Sequence, residues 1–298
     1  MNDMAVQFEG VSKEYSHFKL DNISLALPTG SIMGFIGANG AGKSTTIRIL
    51  MGLVLQDCGT VRVLDKRIPE EQALAKQDIG FASEDLRLYK NATVAWHMEF
   101  VRSIFPKWDQ PYAELLLKRF DLRSDQKIKG LSHGQRVKAS LLLILARRPR
   151  LLVLDEPTTG LDPVARQEVL GELMEVLTDE DRTIFFSSQN TLDVEQISDQ
   201  ITFIDRGRII DSADKESFLE RWRRVRLDVP PGVVLPSLPG TVATVGSGRL
   251  TIVTTSSYDP EMASVYQHAG ATVHAIDPMT LEEIFVTNVI SRREGNVA

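Results

Sequence analysis

The densest chemistry in the chain lies in nine residues, GANGAGKST at 37–45. Gly37, Gly42, Lys43 and Ser44 fill the spacing G-x-x-x-x-G-K-[ST], in which the glycines let the backbone curl around an oxyanion and turn its N–H groups inward. Lys43 supplies a point charge for β- and γ-phosphates, and the Ser44 hydroxyl is a ligand for Mg²⁺. An apolar run, IMGFI, precedes the loop and a helical pattern, STTIRILMGL, follows it, so a helix N-terminus adds its partial positive charge at the same point. The spacing predicts a phosphate-binding loop for a nucleoside triphosphate.

Two further stretches set polar groups at the ends of apolar runs. LLVLDEP at 151–157 reads as a buried strand ending in Asp155 and Glu156, whose side chains point in different directions because strand residues alternate. One carboxylate can join a Mg²⁺ shell and the other can polarise an attacking water, the division that phosphoanhydride hydrolysis needs. TIFFSSQN at 183–190 is a third such run, a buried strand delivering polar side chains at its carboxyl end, where open α/β sheets place their chemistry.

The elements that must position these groups have an α/β rhythm: β-rich runs at 31–37, 151–157 and 183–188 separated by helical patterns. Residues 93–121 carry apolar side chains at helical spacing, interrupted by PKWDQP, which predicts a helical subdomain inserted over about 86–150. At DVPPGVVLPSLPG the composition shifts, and the expected organisation is a nucleotide-binding domain over 1–225 and a second domain over 226–298. In that tail TVATVGSG and RLTIVTTSS read as a hairpin, DPEMASVYQHAG as a helix, ATVHAI as a strand and TLEEIFVTNVI as a closing helix, a small α+β unit.

The 298 residues, 43% hydrophobic and 25% charged, suffice for one substantial core and a smaller one. A formal charge of −6 argues against a nucleic-acid partner, and the basic clusters ARRPR at 146–150 and RWRRVR at 221–226 read as solvated helix ends. Cys58 stands alone, so no internal disulfide forms and a reducing cytoplasm suits the chain. The N-terminus has no signal pattern and the longest apolar run, LLLILA, is far short of a membrane span. The expectation is a soluble chain that reaches a membrane only through a partner.

LSHGQ at 131–135 precedes an apolar helix and the acidic strand end. Together with GANGAGKST, LLVLDEP and TTGLDP at 158–163, it resembles the ATP-binding cassette (ABC) family over roughly residues 4–222, and GFIGANGAGKSTTIRILMGL, SIFPKWD and TLEEIF resemble its Ytr-type branch of bacterial exporter ATPases. The resemblance implies a P-loop NTPase cassette with ATP and Mg²⁺ as cofactors. It places Tyr15 on the adenine ring, and Asn39, Gly40, Ala41 and Thr45 with the phosphate loop. Asp155 and Glu84 join Ser44 near the metal, Glu84 standing where many members have glutamine. Ser132, Gly134 and Gln135 face the γ-phosphate held by the other subunit, Ser132 reading physically as a helix N-cap. Asp162 crosses the dimer interface. His133 replaces a usual glycine and reads as a tolerated surface variant. Gln189 stands where the family has a catalytic histidine, and glutamine keeps a donor but cannot become cationic.

The implied mechanism is closure of two cassettes, as a homodimer or heterodimer, over two ATP molecules, driving a transmembrane permease docked on the helical subdomain near Glu84, Arg87 and Tyr89. The chain would then sit on the cytoplasmic face of the membrane. Two alternatives are a regulatory module that binds ATP but scarcely hydrolyses it and a soluble ABC protein acting outside transport.

Overall fold

The computed structural model describes residues 4–83, 87–176 and 182–295. The chain forms two compact units, Met1–Ile209 and Ile210–Ala298. In the first, β1 (Met4–Tyr15) and β2 (Phe18–Pro28) make a hairpin, and β3 (Ile32–Ile36) leads through the phosphate loop into α1 (Lys43–Leu50). β4 (Cys58–Val63), β5 (Lys66–Ile68) and the short α2 (Gln72–Ala75) follow, then β6 (Ile79–Ser83). The helical insert holds α3 (Val94–Ile104), α4 (Gln110–Arg119) and α5 (His133–Leu145). β7 (Leu151–Asp155), α6 (Pro163–Val176), β8 (Thr183–Ser188), α7 (Thr191–Ile197) and β9 (Gln200–Asp205) complete the nucleotide-binding layer.

Five strands of this unit run parallel in the order β9-β3-β8-β7-β6. Covered on both faces, they are continuous apolar runs and not alternating ones: every residue of β3 and β8 is buried. Phe35 and Phe185, both 0% exposed, set their ring centroids 5.3 Å apart, and each buried ring contributes about 2–3 kcal/mol. β1, β2, β4 and β5 form a separate antiparallel sheet in the order β2-β1-β4-β5, which the motif reading had not anticipated.

Thr93 and Asp109 start α3 and α4 by accepting from Trp96 N–H and Tyr112 N–H, so each side chain satisfies a donor the helix leaves unpaired. Asp109 also takes Arg148 at 2.8 Å, and these bonds, first that from the Tyr112 N–H, hold its carboxyl below the usual range. The insert is tied to the sheet domain by buried polar contacts. Glu172 of α6 accepts from Tyr112 Oη at 2.7 Å and Arg119 Nη1 at 2.9 Å. Arg147, in the cluster expected to be a solvated helix end, instead donates to Ile79 O at 3.0 Å and lies 3.4 Å above the Phe105 ring. Burial pulls its guanidinium down to about 10, because removal from water disfavours the charged form.

β10 (Arg208–Asp214) carries the chain across the division into the second unit, which continues with α8 (Lys215–Arg221), β11 (Arg223–Asp228), β12 (Thr241–Ser247), β13 (Leu250–Thr255), α9 (Glu261–His268), β14 (Thr272–Pro278) and α10 (Leu281–Gly295). Its antiparallel sheet has the order β12-β13-β11-β14. The tail elements read from sequence appear as expected, but RWRRVR is a helix end only at its start: Arg221 closes α8, the buried Trp222 caps it, and Arg223 to Arg226 enter β11, with Val225 and Leu227 facing a core that includes Val253, Met262 and Tyr266. A boundary at 225/226 therefore cuts through a strand paired on both sides. The proline-rich stretch is a loop inside the second unit, and the division lies at 209/210.

Candidate functional site

Strand register brings the chemistry together. Ile36 pairs with Ser188 and with Phe203, Asp155 pairs with Ser187, and Ser83 pairs with Asp155. The residues that follow β3, β7 and β8 therefore emerge along one sheet edge: the phosphate loop, Glu156 and Gln189. Glu84 follows β6 in sequence and lies outside the described residues.

The phosphate loop is shaped by what its neighbours leave no room for. A Cβ on Gly37 would stand 2.6 Å from Ile204 O, and Gly42 adopts φ 115 with Phe18 Cζ 3.0 Å from where its Cβ would be, a backbone conformation that costs glycine least. Ala41 is buried, Ser44 and Thr45 half-buried, and Asn39 and Gly40 exposed at the loop tip. Lys43 is 5% exposed and donates to Gly37 O at 2.7 Å. Its Nζ also stands 3.1 Å from Glu156 Oε1, but that buried oxygen accepts no hydrogen bond.

Glu156 has φ 54, the left-handed region that a residue with a Cβ occupies at a cost of order 1–3 kcal/mol. The turn sends its side chain back over the edge. Oε2 accepts from Thr159 Oγ1 at 3.1 Å and from the Gln189 N–H at 3.3 Å. Asp155 accepts from Ser187 Oγ at 2.6 Å, a partner that the motif reading missed although Ser187 lies in the quoted SSQN. The Gln189 side chain is exposed; its backbone, not its amide, reaches the catalytic edge.

Tyr15 ends β1 at the two-residue turn that begins again at Phe18. It is 43% exposed, its ring centroid is 6.4 Å from that of Phe18, and Phe18 in turn abuts Gly42. The hairpin tip thus sets an open aromatic face beside the phosphate loop.

Ser132 caps α5 in a reciprocal pair: its Oγ accepts from Gln135 N–H at 3.2 Å, and Gln135 Oε1 accepts from Ser132 N–H at 3.0 Å, which satisfies two otherwise orphaned donors. Among the described residues no hydrogen bond or ion pair joins Ser132, Gly134 or Gln135 to the phosphate loop of the same chain. Asp162 accepts from the N–H groups of Val164 and Ala165 at 3.0 Å each; these bonds, that from Ala165 foremost, lower its pKa. His133 is exposed, and its Nε2 lies 3.0 Å from Thr159 O. Thr158 donates to the buried Asp193 at 2.6 Å. The doubled threonine before Gly160 was the one sequence sign that this loop would be pinned by side chains.

The ABC transporter family model matches residues 20–159. The chain is 28% identical over 275 residues to the ABC transporter ATP-binding protein YtrB of Bacillus subtilis (strain 168), covering 92% of this chain and 94% of that protein. It is 32% identical over 229 residues to the linearmycin resistance ATP-binding protein LnrL of the same organism, covering 72% and 71%, and 36% identical over 192 residues to the lantibiotic transport ATP-binding protein SrtF of Streptococcus pyogenes, covering 64% and 82%. Among solved structures, cbiO1 from Clostridium perfringens, part of the ABC transporter complex cbiONQ, superposes with a TM-score of 0.63 at 26% identity, covering 74% of this chain and 92% of that one.

Proposed function

The chain belongs to the ABC transporter family as an ATP-binding subunit, and we propose that two such cassettes close head to tail over two Mg-ATP molecules to drive a transmembrane permease. ATP hydrolysis powering transport is the activity of the family it joins. The observation that carries the reading is the strand register, which sets Lys43, Asp155, Glu156 and the Gln189 backbone along one edge.

Each residue then has a task. Lys43 gives up Gly37 O for the β- and γ-phosphates, exchanging a neutral acceptor for charged ones. Glu156 takes the proton of the attacking water through Oε1, which accepts no hydrogen bond and is released once Lys43 turns from it to the phosphates. The Gln189 amide donates to a phosphate oxygen, and Tyr15 offers its exposed ring to the adenine. Ser44 and Asp155 are hard oxygen donors of the kind Mg²⁺ takes in ones and twos, with phosphates and water as its other ligands; the described residues contain no cluster of three His, Cys, Asp or Glu that would cage a metal alone. Bound there, the ion neutralises phosphate charge. Glu84 belongs to the same proposal.

The α5 N-terminus, with Ser132 and Gly134, meets the γ-phosphate held by the opposite cassette, and Asp162 lies along the interface between them. Gln135 uses its amide oxygen in the cap and so offers the phosphate only its N–H groups. No helix among the described residues is long and apolar enough to cross a membrane, and the permease docks on the helical insert, where Tyr89, Trp96 and Phe100 are 65%, 46% and 45% exposed. The assembly lies on the cytoplasmic face.

Glu156→Gln tests this. The amide keeps the shape of the carboxylate but not its basicity, so turnover should fall by roughly a thousandfold while Mg-ATP binding persists. Gel filtration with Mg-ATP should show a dimer that wild type forms only transiently. A strictly monomeric variant at high protein concentration would defeat the head-to-tail reading.

A further inference from the structure

One chain connects its signature segment to its own catalytic carboxylate. His133 is the first residue of α5, and its Nε2 lies 3.0 Å from Thr159 O. A carbonyl oxygen only accepts, so Nε2 carries the proton. Thr159 passes its hydroxyl to Glu156 Oε2 at 3.1 Å, the oxygen that the Gln189 N–H also reaches at 3.3 Å. Gly160 has φ 72, and a Cβ there would stand 3.2 Å from His133 Nε2, so the imidazole rests on the loop backbone itself. On the other side Thr158 is held by Asp193, 2% exposed, at 2.6 Å. The segment after Glu156 is therefore clamped between the start of α5 and α7. His133, Glu156 and Thr159 line one cleft of about 580 Å³, so the contact lies at the catalytic edge.

We propose that His133 is a positioning residue that couples the two nucleotide sites of the closed pair. This rests on the head-to-tail reading, in which Ser132 and Gly134 serve the nucleotide of the opposite chain and Glu156 serves its own. Occupancy of the opposite site fixes the start of α5. His133 hands that position to the Thr159 carbonyl, and the Thr159 hydroxyl sets the rotamer of Glu156. Packed loops respond by switching between discrete arrangements, so a small displacement at one end is not absorbed along the way. A glycine at this position, the residue expected from the family pattern, has no side chain with which to reach Thr159, so the coupling belongs to chains that carry a donor here.

The test compares His133→Ala with His133→Gln, whose amide N–H can reach the same carbonyl, by steady-state phosphate release across Mg-ATP concentration. Wild type should be cooperative, with a Hill coefficient above 1. His133→Ala should lower kcat about 10-fold, as misplacement of a catalytic group by a fraction of an ångström does, and bring the Hill coefficient to 1. Its KM and the affinity for a fluorescent ATP analogue should stay within about twofold and the number of analogue sites per chain should match wild type, which a general loss of folding would lower. His133→Gln should recover at least half of both losses. A non-cooperative wild type, an alanine variant with wild-type kcat and cooperativity, or a glutamine variant no better than alanine would overturn the proposal. Dimerisation with Mg-ATP, measured on Glu156→Gln alone and with His133→Ala added, keeps the two readings apart. If neither dimerises, head-to-tail closure has failed and the coupling with it. If only the single variant dimerises, His133 acts in closure and the coupling role is wrong. Both dimerising is the expected result.

Discussion

At the sheet edge of the first unit, ionisable groups face each other with bonding capacity left over. Lys43 is buried between the Gly37 carbonyl and Glu156 Oε1 at 3.1 Å, that oxygen accepts no hydrogen bond, and Ser187 holds only one oxygen of Asp155. Around the sheet of the second unit charges pair with one another near water: Arg249 grips Asp228 through two bonds of 2.8 Å, and Arg224 reaches Glu283 of α10 at 2.6 Å. Mutually satisfied pairs near water add little to stability and have nothing left to offer a ligand. Buried charges with bonding capacity to spare can exchange their partners for a substrate's. The difference separates a region built to react from one built to be shaped.

The sharpest way to break that contrast is Lys43→Ala. Losing a charge-assisted contact worth about 3 kcal/mol should weaken ATP binding roughly 100-fold, as measured by equilibrium titration, and retained affinity would mean that the loop backbone alone holds the phosphates. Gln189→His comes next. If the exposed glutamine supplies a weaker transition-state contact than imidazole, phosphate release at saturating Mg-ATP should rise about 10- to 100-fold, a gain of about 1.4–2.7 kcal/mol; equal or lower turnover would make the glutamine a working part of the native site.

Ser132→Ala removes one half of the reciprocal cap and should cost about 1 kcal/mol of stability, visible as a lower denaturant midpoint at unchanged slope. The smallest effect should come from Arg224→Ala in the second unit: about 0.2–1 kcal/mol, with kcat within twofold of wild type. A larger loss of turnover there would show that the ion-paired sheet takes part in the reaction after all.

What was legible in the sequence followed from range. GANGAGKST, LLVLDEP and TIFFSS are local: glycine spacing fixes a loop, and strands buried on both faces are unbroken apolar runs. Their alignment on one edge followed from parallel pairing, which the α/β rhythm implied. The antiparallel sheet of β1, β2, β4 and β5 was not legible, because its strands are only partly buried and its pairings join distant segments such as Phe8 and Val61. β11 was hidden by its arginines. A basic run suggested a helix end, while the period-2 burial of Val225 and Leu227 was present in RRVRLD and outweighed by charge. Arg147 was misread for a related reason: nothing local shows that a guanidinium after a helix will lie on Phe105 and not in water. The partner of His133 could not be read at all, since Thr159 is brought to it by the packing of two separate segments.

The central place of β11 in its sheet also governs how the last part of the chain folds during synthesis. β11 leaves the ribosome before either of its neighbours, β13 and β14, so one of its edges stays unpaired until Thr255 has been made and the other until the segment beginning at Thr272 has. At about 5–20 residues per second that is an interval of a few seconds, during which an open strand could pair with another chain. The arginines alternating with its apolar residues keep one face of the waiting strand charged, so the residues that end as modest ion pairs act earlier as a guard against aggregation.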